Sequence, residues 1–333
     1  MLSADFLAQF YGALMALAVL VYAILDGYDL GVGILLPTDD KSQADTMIAS
    51  IGPFWDANET WLVLAVGLAL IAFPLAHSVI LQALYLPVAL MLLGLILRGV
   101  AFDFRAKAKT KYRDAWDVSF KVGSIITAFS QGFMLGLYVM SFDTSLQSYA
   151  FALLSGIGVI AAYGLIGSAW LVMKTSGAVY QRSINWCRRF NVVALVGVIT
   201  VSLVNPLIND FVADKWFGTE LSVLLLPIPF ACIALFIFQD RVLANLGNVS
   251  AKEGSWKPFA LSCGVFVLCF IGLVYSFFPY VVPNELTIYE SLADPSALTF
   301  MLYGVVLVVP AIIGYTIFSY RVFWGKTQEL TYY

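Results

Sequence analysis

Residues 78–104 read SVILQALYLPVALMLLGLILRGVAFDF, and the first twenty of them carry no charged side chain. A helix of about 20 mostly apolar residues is long enough to cross the roughly 30 Å hydrocarbon layer of a bilayer. Eight further segments share this character, so the sequence predicts nine transmembrane helices. They cover approximately residues 7–35, 50–75, 78–104, 116–141, 148–173, 184–209, 218–239, 257–281 and 298–322.

The composition of the whole chain also indicates a protein that folds in lipid. Of its 333 residues, 61% are hydrophobic and 12% are charged, and the mean hydropathy is +0.88. A soluble domain has about a quarter of its residues charged. Because the connections between the apolar segments are short, we expect a single all-α integral membrane domain over residues 1–333. Helices 1–4 span about 7–141, helices 5–8 about 148–281 and helix 9 about 298–322.

The basic residues predict how these helices are oriented, because cytoplasmic loops are enriched in Lys and Arg. The apolar N-terminus lacks the charged region and the cleavage site of a secretory signal, so we expect it to remain as helix 1. If it faces outward, every one of the 18 basic residues except Lys215 falls on the inner side. The sequence therefore predicts a multi-pass protein with its N-terminus outside and its C-terminus inside.

Two pairs of acidic residues occur at membrane depth, where a charge costs about 2.5–3.5 kcal/mol. Asp26 and Asp29 are three residues apart in helix 1, and Asp56 and Glu59 have the same spacing at the start of helix 2, so each pair shares a helix face. Either pair could instead lie in water at a helix end. However, apolar sequence follows the first pair and a partly apolar stretch precedes the second, and carboxyl groups at low dielectric are suited to carrying protons.

Arg98, near the inner end of helix 3, is the natural counter-charge for these acids, because all three segments approach the same membrane face. The alternative is that its side chain snorkels to the interface. Asp103 and Arg105 are expected to pair with each other near the following loop. Together, the four acids and Arg98 predict a hydrated proton route in the cytoplasmic half of helices 1–3.

Side chains that could ligate a haem or a metal are scarce in this sequence. His77 is the single histidine, and the four cysteines form no CxxC pair. Haem iron needs axial ligands such as His, Met or Cys. Any redox cofactor is therefore expected on another chain, and no metal site is predicted. A net charge of −3 without a basic block outside the loops argues against a nucleic-acid partner.

Three motifs carry a resemblance to a known family. They are DGYDLGVG at 26–33, GPFWDANETW at 52–61 and LRGVAFDFR at 97–105. In this order and spacing they resemble subunit II of cytochrome bd-type quinol oxidases, particularly the cyanide-insensitive branch, and the resemblance covers the whole chain. It implies two four-helix bundles plus one peripheral helix in a terminal oxidase of the bacterial inner membrane.

The resemblance further implies a division of labour with a partner, subunit I. That partner would carry haems b and d, oxidise quinol and reduce oxygen to water. This chain would be inactive alone and would ligate no haem. It would assist assembly of the haem subunit and contribute a cytoplasmic proton route. Members of the family can also hold a quinone in a structural role, and a small third subunit is left open.

The resemblance also implies roles for individual residues, none of them catalytic in the bond-making sense. Asp56 is by position the leading proton-route residue, with Asp26 and Asp29 as its neighbours. Glu59 stands where some members carry a less acidic residue, which leaves open whether it belongs to the route. Arg98 would anchor the carboxylates or a bound anionic group.

Two other functions are compatible with charged residues inside a helical bundle. A proton-coupled transporter would also place carboxylates and an arginine there, but it predicts inverted repeats with matched broken helices, which we do not find in the sequence. A purely scaffolding subunit would use the acids only to stabilise the contact with its partner. It predicts little loss of turnover in an intact assembly when Asp56 is replaced by Asn.

Overall fold

The computed structural model describes residues 2–107, 112–218, 227–248 and 255–327. Within these ranges, nine helices are long and apolar enough to cross a membrane, which confirms the predicted number. They are α1 (Ala4–Leu35), α3 (Trp55–Ala72), α4 (Pro74–Lys107), α5 (Arg113–Val139), α6 (Leu146–Lys174), α7 (Gly177–Ile208), α9 (Pro227–Asn248), α10 (Lys257–Phe277) and α11 (Pro295–Val322). The remaining elements are the short helices α2 (Lys41–Ile51) and α8 (Asp210–Phe217) and an antiparallel pair of strands, β1 (Tyr280–Val282) and β2 (Leu286–Thr287).

The short helix α2 separates α1 from α3 and was not expected from the sequence. Its N-cap is Asp40, whose carboxylate accepts a hydrogen bond from the Gln43 backbone N–H at 3.0 Å and another from the Gln43 side chain at 2.7 Å. These hydrogen bonds hold the pKa of Asp40 below its ordinary value. The predicted helix at 50–75 is wrong at its start, because Gly52 and Pro53 interrupt the helical backbone between α2 and α3.

The seventh long helix, predicted at 218–239, extends beyond its predicted end. Its described part, α9, runs from Pro227 to Asn248. Residues 219–226 lie outside the described ranges. The helix continues to Asn248, and the buried Gln239 side chain within it donates to Ser262 Oγ on α10 at 3.0 Å.

Helix α1 packs against α3, α5 and α6, and α4 packs along α5. The crossing of α1 and α6 depends on two glycines, Gly31 and Gly167, because a Cβ on Gly31 would overlap the carbonyl oxygen of Tyr163. Small residues allow helix backbones to approach closely in lipid. Helices α6, α7, α9 and α10 contact one another in turn, and α11 lies against α1 and α3. The orientation in the membrane and the grouping into two bundles stay predictions.

Candidate functional site

Arg98 lies at the centre of a buried charged cluster that three helices form. Its Nη1 atom is 2.6 Å from Oδ1 of Asp26 and 3.3 Å from Oε1 of Glu59, and its Nη2 atom is 3.9 Å from Oδ2 of Asp29. The side chains of Arg98, Asp26 and Asp29 are fully buried, whereas that of Glu59 is 31% exposed. Arg98 therefore does not snorkel to the interface but faces three of the four predicted carboxyl groups.

Local sequence explains why these groups meet. Asp26 and Asp29, three residues apart on α1, present their carboxyl groups on one side of the helix. Arg98 lies nine residues before the end of α4, where α4 packs against α5. A Cβ at Gly123 of α5 would lie only 2.9 Å from the backbone nitrogen of Arg98, so glycine permits the close contact that encloses the guanidinium.

Asn58 connects the acidic cluster to a tyrosine on α1. Its fully buried side-chain amide donates to Asp29 Oδ2 at 2.8 Å and to the Tyr28 hydroxyl at 2.8 Å, and it lies 3.3 Å from the Leu25 carbonyl oxygen. A buried carboxylate needs such donors, since leaving it unpaired is costly. Asn58 lies inside the GPFWDANETW motif. Its polar side chain in an apolar helix is the feature of the sequence that indicates a place in the site.

A tyrosine of the last helix extends this network, and sequence reasoning missed it. The hydroxyl oxygens of Tyr28 and Tyr320 are 2.6 Å apart, and Tyr320 also lies 3.4 Å from Asn58 Oδ1. These contacts fasten α11 to the charged cluster. Nothing in the sequence around Tyr320 distinguishes it from the interfacial aromatic residues common at helix ends.

A second hydrogen-bonded series leads from the cluster towards α5 and α6. Tyr22 is four residues before Asp26 on α1, and so lies on the same helix face. The Tyr22 hydroxyl accepts a hydrogen bond from Nε2 of Gln131 at 2.7 Å. Oε1 of the same Gln131 side chain accepts one from the Tyr163 hydroxyl at 2.6 Å. With Arg98, Asn58 and Tyr320, these side chains surround the acids with polar groups from six helices, α1, α3, α4, α5, α6 and α11.

Asp56 does not join the carboxyl groups that face Arg98, although it lies one helical turn from Glu59 on α3, and the proton route through all four acids stays a prediction. It is exposed in the first turn of α3, while Glu59, one turn later, points inward. Asp56 and Glu59 are neighbours on α3, but the two side chains do not point in the same direction. Glu59 lies on the side of the helix that faces the core, and Asp56 lies on the exposed side. Trp55 covers the guanidinium instead, with Arg98 Cζ 6.0 Å from its ring.

The expected pair between Asp103 and Arg105 is wrong. Asp103 is exposed, and Arg105 instead forms ion pairs with Asp117 of α5 and with Asp45 of α2, the latter at 2.7 Å. Arg105 therefore joins three helices at one membrane face, a structural role that the spacing of residues on α4 alone could not indicate.

Among residues 2–107, 112–218, 227–248 and 255–327, no group of three or more His, Cys, Asp or Glu side chains is arranged to hold a metal ion. The cluster around Arg98 is instead an ion-pair site with a surplus of carboxyl groups.

The sequence of residues 7–323 matches the family described as cytochrome bd terminal oxidase subunit II. The chain belongs to this family. As a subunit II, it is a component of a quinol:oxygen oxidoreductase, a multi-pass protein of a bacterial membrane, and it has subunit I of the oxidase as its partner.

Similar proteins extend over nearly the full length of this subunit II. A protein named cytochrome bd ubiquinol oxidase subunit 2 from Bacillus subtilis is 27% identical, with 95% of each chain covered. Cytochrome bd-I ubiquinol oxidase subunit 2 from Escherichia coli strain K12 is 26% identical, covering 99% of this chain and 97% of its own. A chain in the structure of bd oxidase from Geobacillus thermodenitrificans has a TM-score of 0.76 at 15% identity, covering 96% of this chain and 99% of its own, which shows a shared fold.

Proposed function

We propose that this subunit carries protons from the cytoplasm towards the oxygen-reducing centre of the partner subunit I, and that it supports the assembly of that subunit. The observation that carries the proposal is the buried cluster of Arg98 with three carboxyl groups. Reduction of oxygen to water consumes protons, so an oxidase whose chemistry takes place inside the membrane needs a polar route to that site. The haems b and d and the quinol-oxidising site are assigned by this proposal to subunit I.

The acids form a series of increasing burial, as a route from the surface inward requires. Asp56 is exposed, Glu59 is 31% exposed one helical turn away, and Asp26 and Asp29 are fully buried. All four lie towards the ends of α1 and α3 that meet at one membrane face. The distribution of basic residues predicts this face to be cytoplasmic. Asp56 thus keeps a place in the route, at its outer end, and Glu59 takes the central position.

The charge of the cluster favours proton uptake. Asp26, Asp29 and Glu59 outnumber the single guanidinium of Arg98, so the cluster is negative when all of its groups are ionised. Holding net charge away from water is expensive. Binding protons reduces that charge, and releasing them to a neighbouring acceptor restores it, which is the behaviour that a relay needs.

Buried polar atoms that have no hydrogen-bond partner in the protein support a hydrated route. Within the described ranges, these include Asp26 Oδ2, Asp29 Oδ1 and the Nε and Nη2 atoms of Arg98, none of which makes a protein hydrogen bond. Buried polar atoms in proteins nearly always have a hydrogen-bond partner. Ordered water would satisfy these atoms and would link the carboxyl groups to one another.

The decisive experiment is quinol-driven oxygen uptake, normalised to haem content, in the purified oxidase. We expect Glu59→Gln, Asp26→Asn and Asp29→Asn to slow turnover strongly, and Asp56→Asn to slow it less because its neighbourhood is open to water. Asp39→Asn, an exposed acid at the same face, is the matched control. Normal turnover in all cluster variants with haem in place would contradict the proton route and favour the scaffolding function.

The assembly role needs a separate measurement. We expect a tagged wild-type chain to co-purify with subunit I and to give a reduced-minus-oxidised haem spectrum. Membranes that lack this chain should contain less haem-loaded subunit I. A colourless preparation without a partner, from the native host, would instead favour the transporter function and would call for assays of proton-coupled uptake.

A further inference from the structure

A cavity of about 190 Å³ opens where α6 ends, α10 begins and the chain leaves α11. As far as the described residues form it, its wall is mainly aromatic and has no acidic side chain. The lining consists of Phe54, Trp170, Met173, Lys174, Trp256, Tyr320, Trp324, Gly325 and Lys326.

Lys174 is a largely buried cation in this wall. The residue is 7% exposed, and its ammonium nitrogen lies 5.4 Å from the ring centre of Phe54 and 5.5 Å from that of Trp170. It donates one hydrogen bond, to the Phe323 carbonyl oxygen at 2.7 Å. An ammonium has three donor hydrogens. Among the residues that the structure describes, no carboxylate lies within ion-pair distance of Lys174, and a buried charge without a counter-ion is costly.

A second basic side chain, Lys326, borders the same cavity. Its ammonium nitrogen lies 2.6 Å from the Thr175 carbonyl oxygen and 3.2 Å from that of Met173. These carbonyls belong to the C-terminal end of α6, where cations are favoured. The fold therefore fixes the position of Lys326 and places a second positive group beside the cavity that Lys174 lines.

The rim of the cavity carries large aromatic side chains exposed to the surroundings. Trp256 is 60% exposed just before α10, and Trp324 is 75% exposed just after α11. Tryptophan is enriched where the hydrocarbon of a membrane meets the headgroups. The cavity lies at helix ends and has exposed tryptophans and a cationic wall. We therefore expect it at headgroup level, on the face that the basic residues predict to be cytoplasmic.

We infer that this cavity binds the phosphate-bearing headgroup of an anionic phospholipid. The phosphate supplies a counter-ion for Lys174, which has no carboxylate within ion-pair distance among the described residues. The aromatic wall accommodates the glycerol and the first acyl carbons. Basic pockets between membrane helices on the cytoplasmic side suit anionic headgroups. A zwitterionic phospholipid carries the same phosphate with an added cation, which the ammonium groups of Lys174 and Lys326 repel.

The test uses the intact oxidase in nanodiscs of phosphatidylcholine with increasing phosphatidylglycerol. Native mass spectrometry counts the retained lipids, and thermal melting of the complex reports stabilisation. We expect Lys174→Gln to weaken retention of phosphatidylglycerol about fivefold, the effect of removing one basic side chain near an anionic headgroup. Lys174→Arg should retain most of the binding. Lys257→Gln, an exposed lysine at the start of α10 that does not line the cavity, is the control for general surface charge.

A photoactivatable phosphatidylglycerol in the wild-type complex provides evidence that does not depend on a variant folding. The cross-link should map to peptides that contain Trp256 or Trp324. Equal loss of lipid in Lys174→Gln and Lys257→Gln would overturn the inference, as would equal stabilisation by phosphatidylcholine alone. Stabilisation by inorganic phosphate that abolishes the lipid dependence would show a site for the free anion. Absence of cross-links at both tryptophans would also overturn the inference.

Discussion

The guanidinium Nη1 of Arg98 lies 2.6 Å from Oδ1 of Asp26, and both side chains are completely shielded from solvent. One residue comes from the fourth helix of the chain and the other from the first, 72 positions apart. Removing one partner of a buried ion pair leaves the other charge unpaired, which costs about 3–5 kcal/mol. This relationship makes Arg98 both the electrostatic centre of the candidate site and a structural connection between α1 and α4.

Replacing Arg98 by Met should therefore prevent stable assembly of the oxidase, because three carboxyl groups then face one another without a cation. We expect little haem-loaded complex and a markedly lower melting temperature for what is recovered. Arg321→Gln removes an exposed arginine and should leave both quantities unchanged. An Arg98→Met complex with wild-type yield and melting temperature would contradict the assigned structural role.

The hydrogen bonds of Asn58 predict a second, smaller effect. Asn58→Ala leaves Asp29 and the Tyr28 hydroxyl without their donor, at a cost of about 1–3 kcal/mol. Tyr320→Phe removes the hydroxyl contact with Tyr28 and the longer one with Asn58 Oδ1, and it should cost less, about 0.5–1.5 kcal/mol, because no charged group loses a donor. Thermal melting of the purified complex checks this order. A Tyr320→Phe variant less stable than Asn58→Ala would show that α11 depends on this contact more than the charged cluster does.

The crossing of α1 and α6 predicts a strong dependence on glycine at one position. Gly31→Ala introduces a methyl group into the Tyr163 carbonyl oxygen, so the helices must separate, at a cost of at least about 1–3 kcal/mol. At Gly67 and Gly158 an added Cβ meets nothing within 4 Å. Alanine there should be neutral or slightly stabilising, because it is the better helix former. Equal expression and melting temperature for all three variants would argue against the close contact of α1 with α6.

Two cysteines offer a direct test of how α9 packs on α10. The Sγ atoms of Cys232 and Cys269 are 3.8 Å apart. Oxidation with copper phenanthroline, which takes up the two electrons and transfers them to oxygen, should join the thiols in an intrachain disulfide. Mass spectrometry of the digested chain detects the linked peptides. Cys269→Ser should abolish the linkage and Cys263→Ser should not, and a linkage that persists without Cys269 would contradict this packing.

The transmembrane helices could be predicted from the sequence because the solvent around them is hydrocarbon. Backbone polar groups cannot remain unpaired in hydrocarbon, so an uncharged stretch such as 78–97 has to be a helix wherever it packs. The nine spans followed from this rule. The rule holds less well near polar residues. Helix α2 is amphipathic and only 11 residues long, and α9 continues past Gln239, whose side-chain amide donates to Ser262 on another helix.

Part of the candidate site could likewise be predicted from the sequence, and part could not. The sequence by itself identified the charged residues that stand out, since an ion in an apolar helix is costly and shows plainly: Asp26, Asp29, Glu59 and Arg98 were all selected. Only the tertiary structure decided which of them meet. It turned Asp56 towards the surface, exchanged Asp103 for Asp117 as the partner of Arg105, and brought Tyr320 to Asn58 from 262 positions away. The insertion cost of a residue depends on its own helix, whereas its partners depend on how the helices rotate and cross.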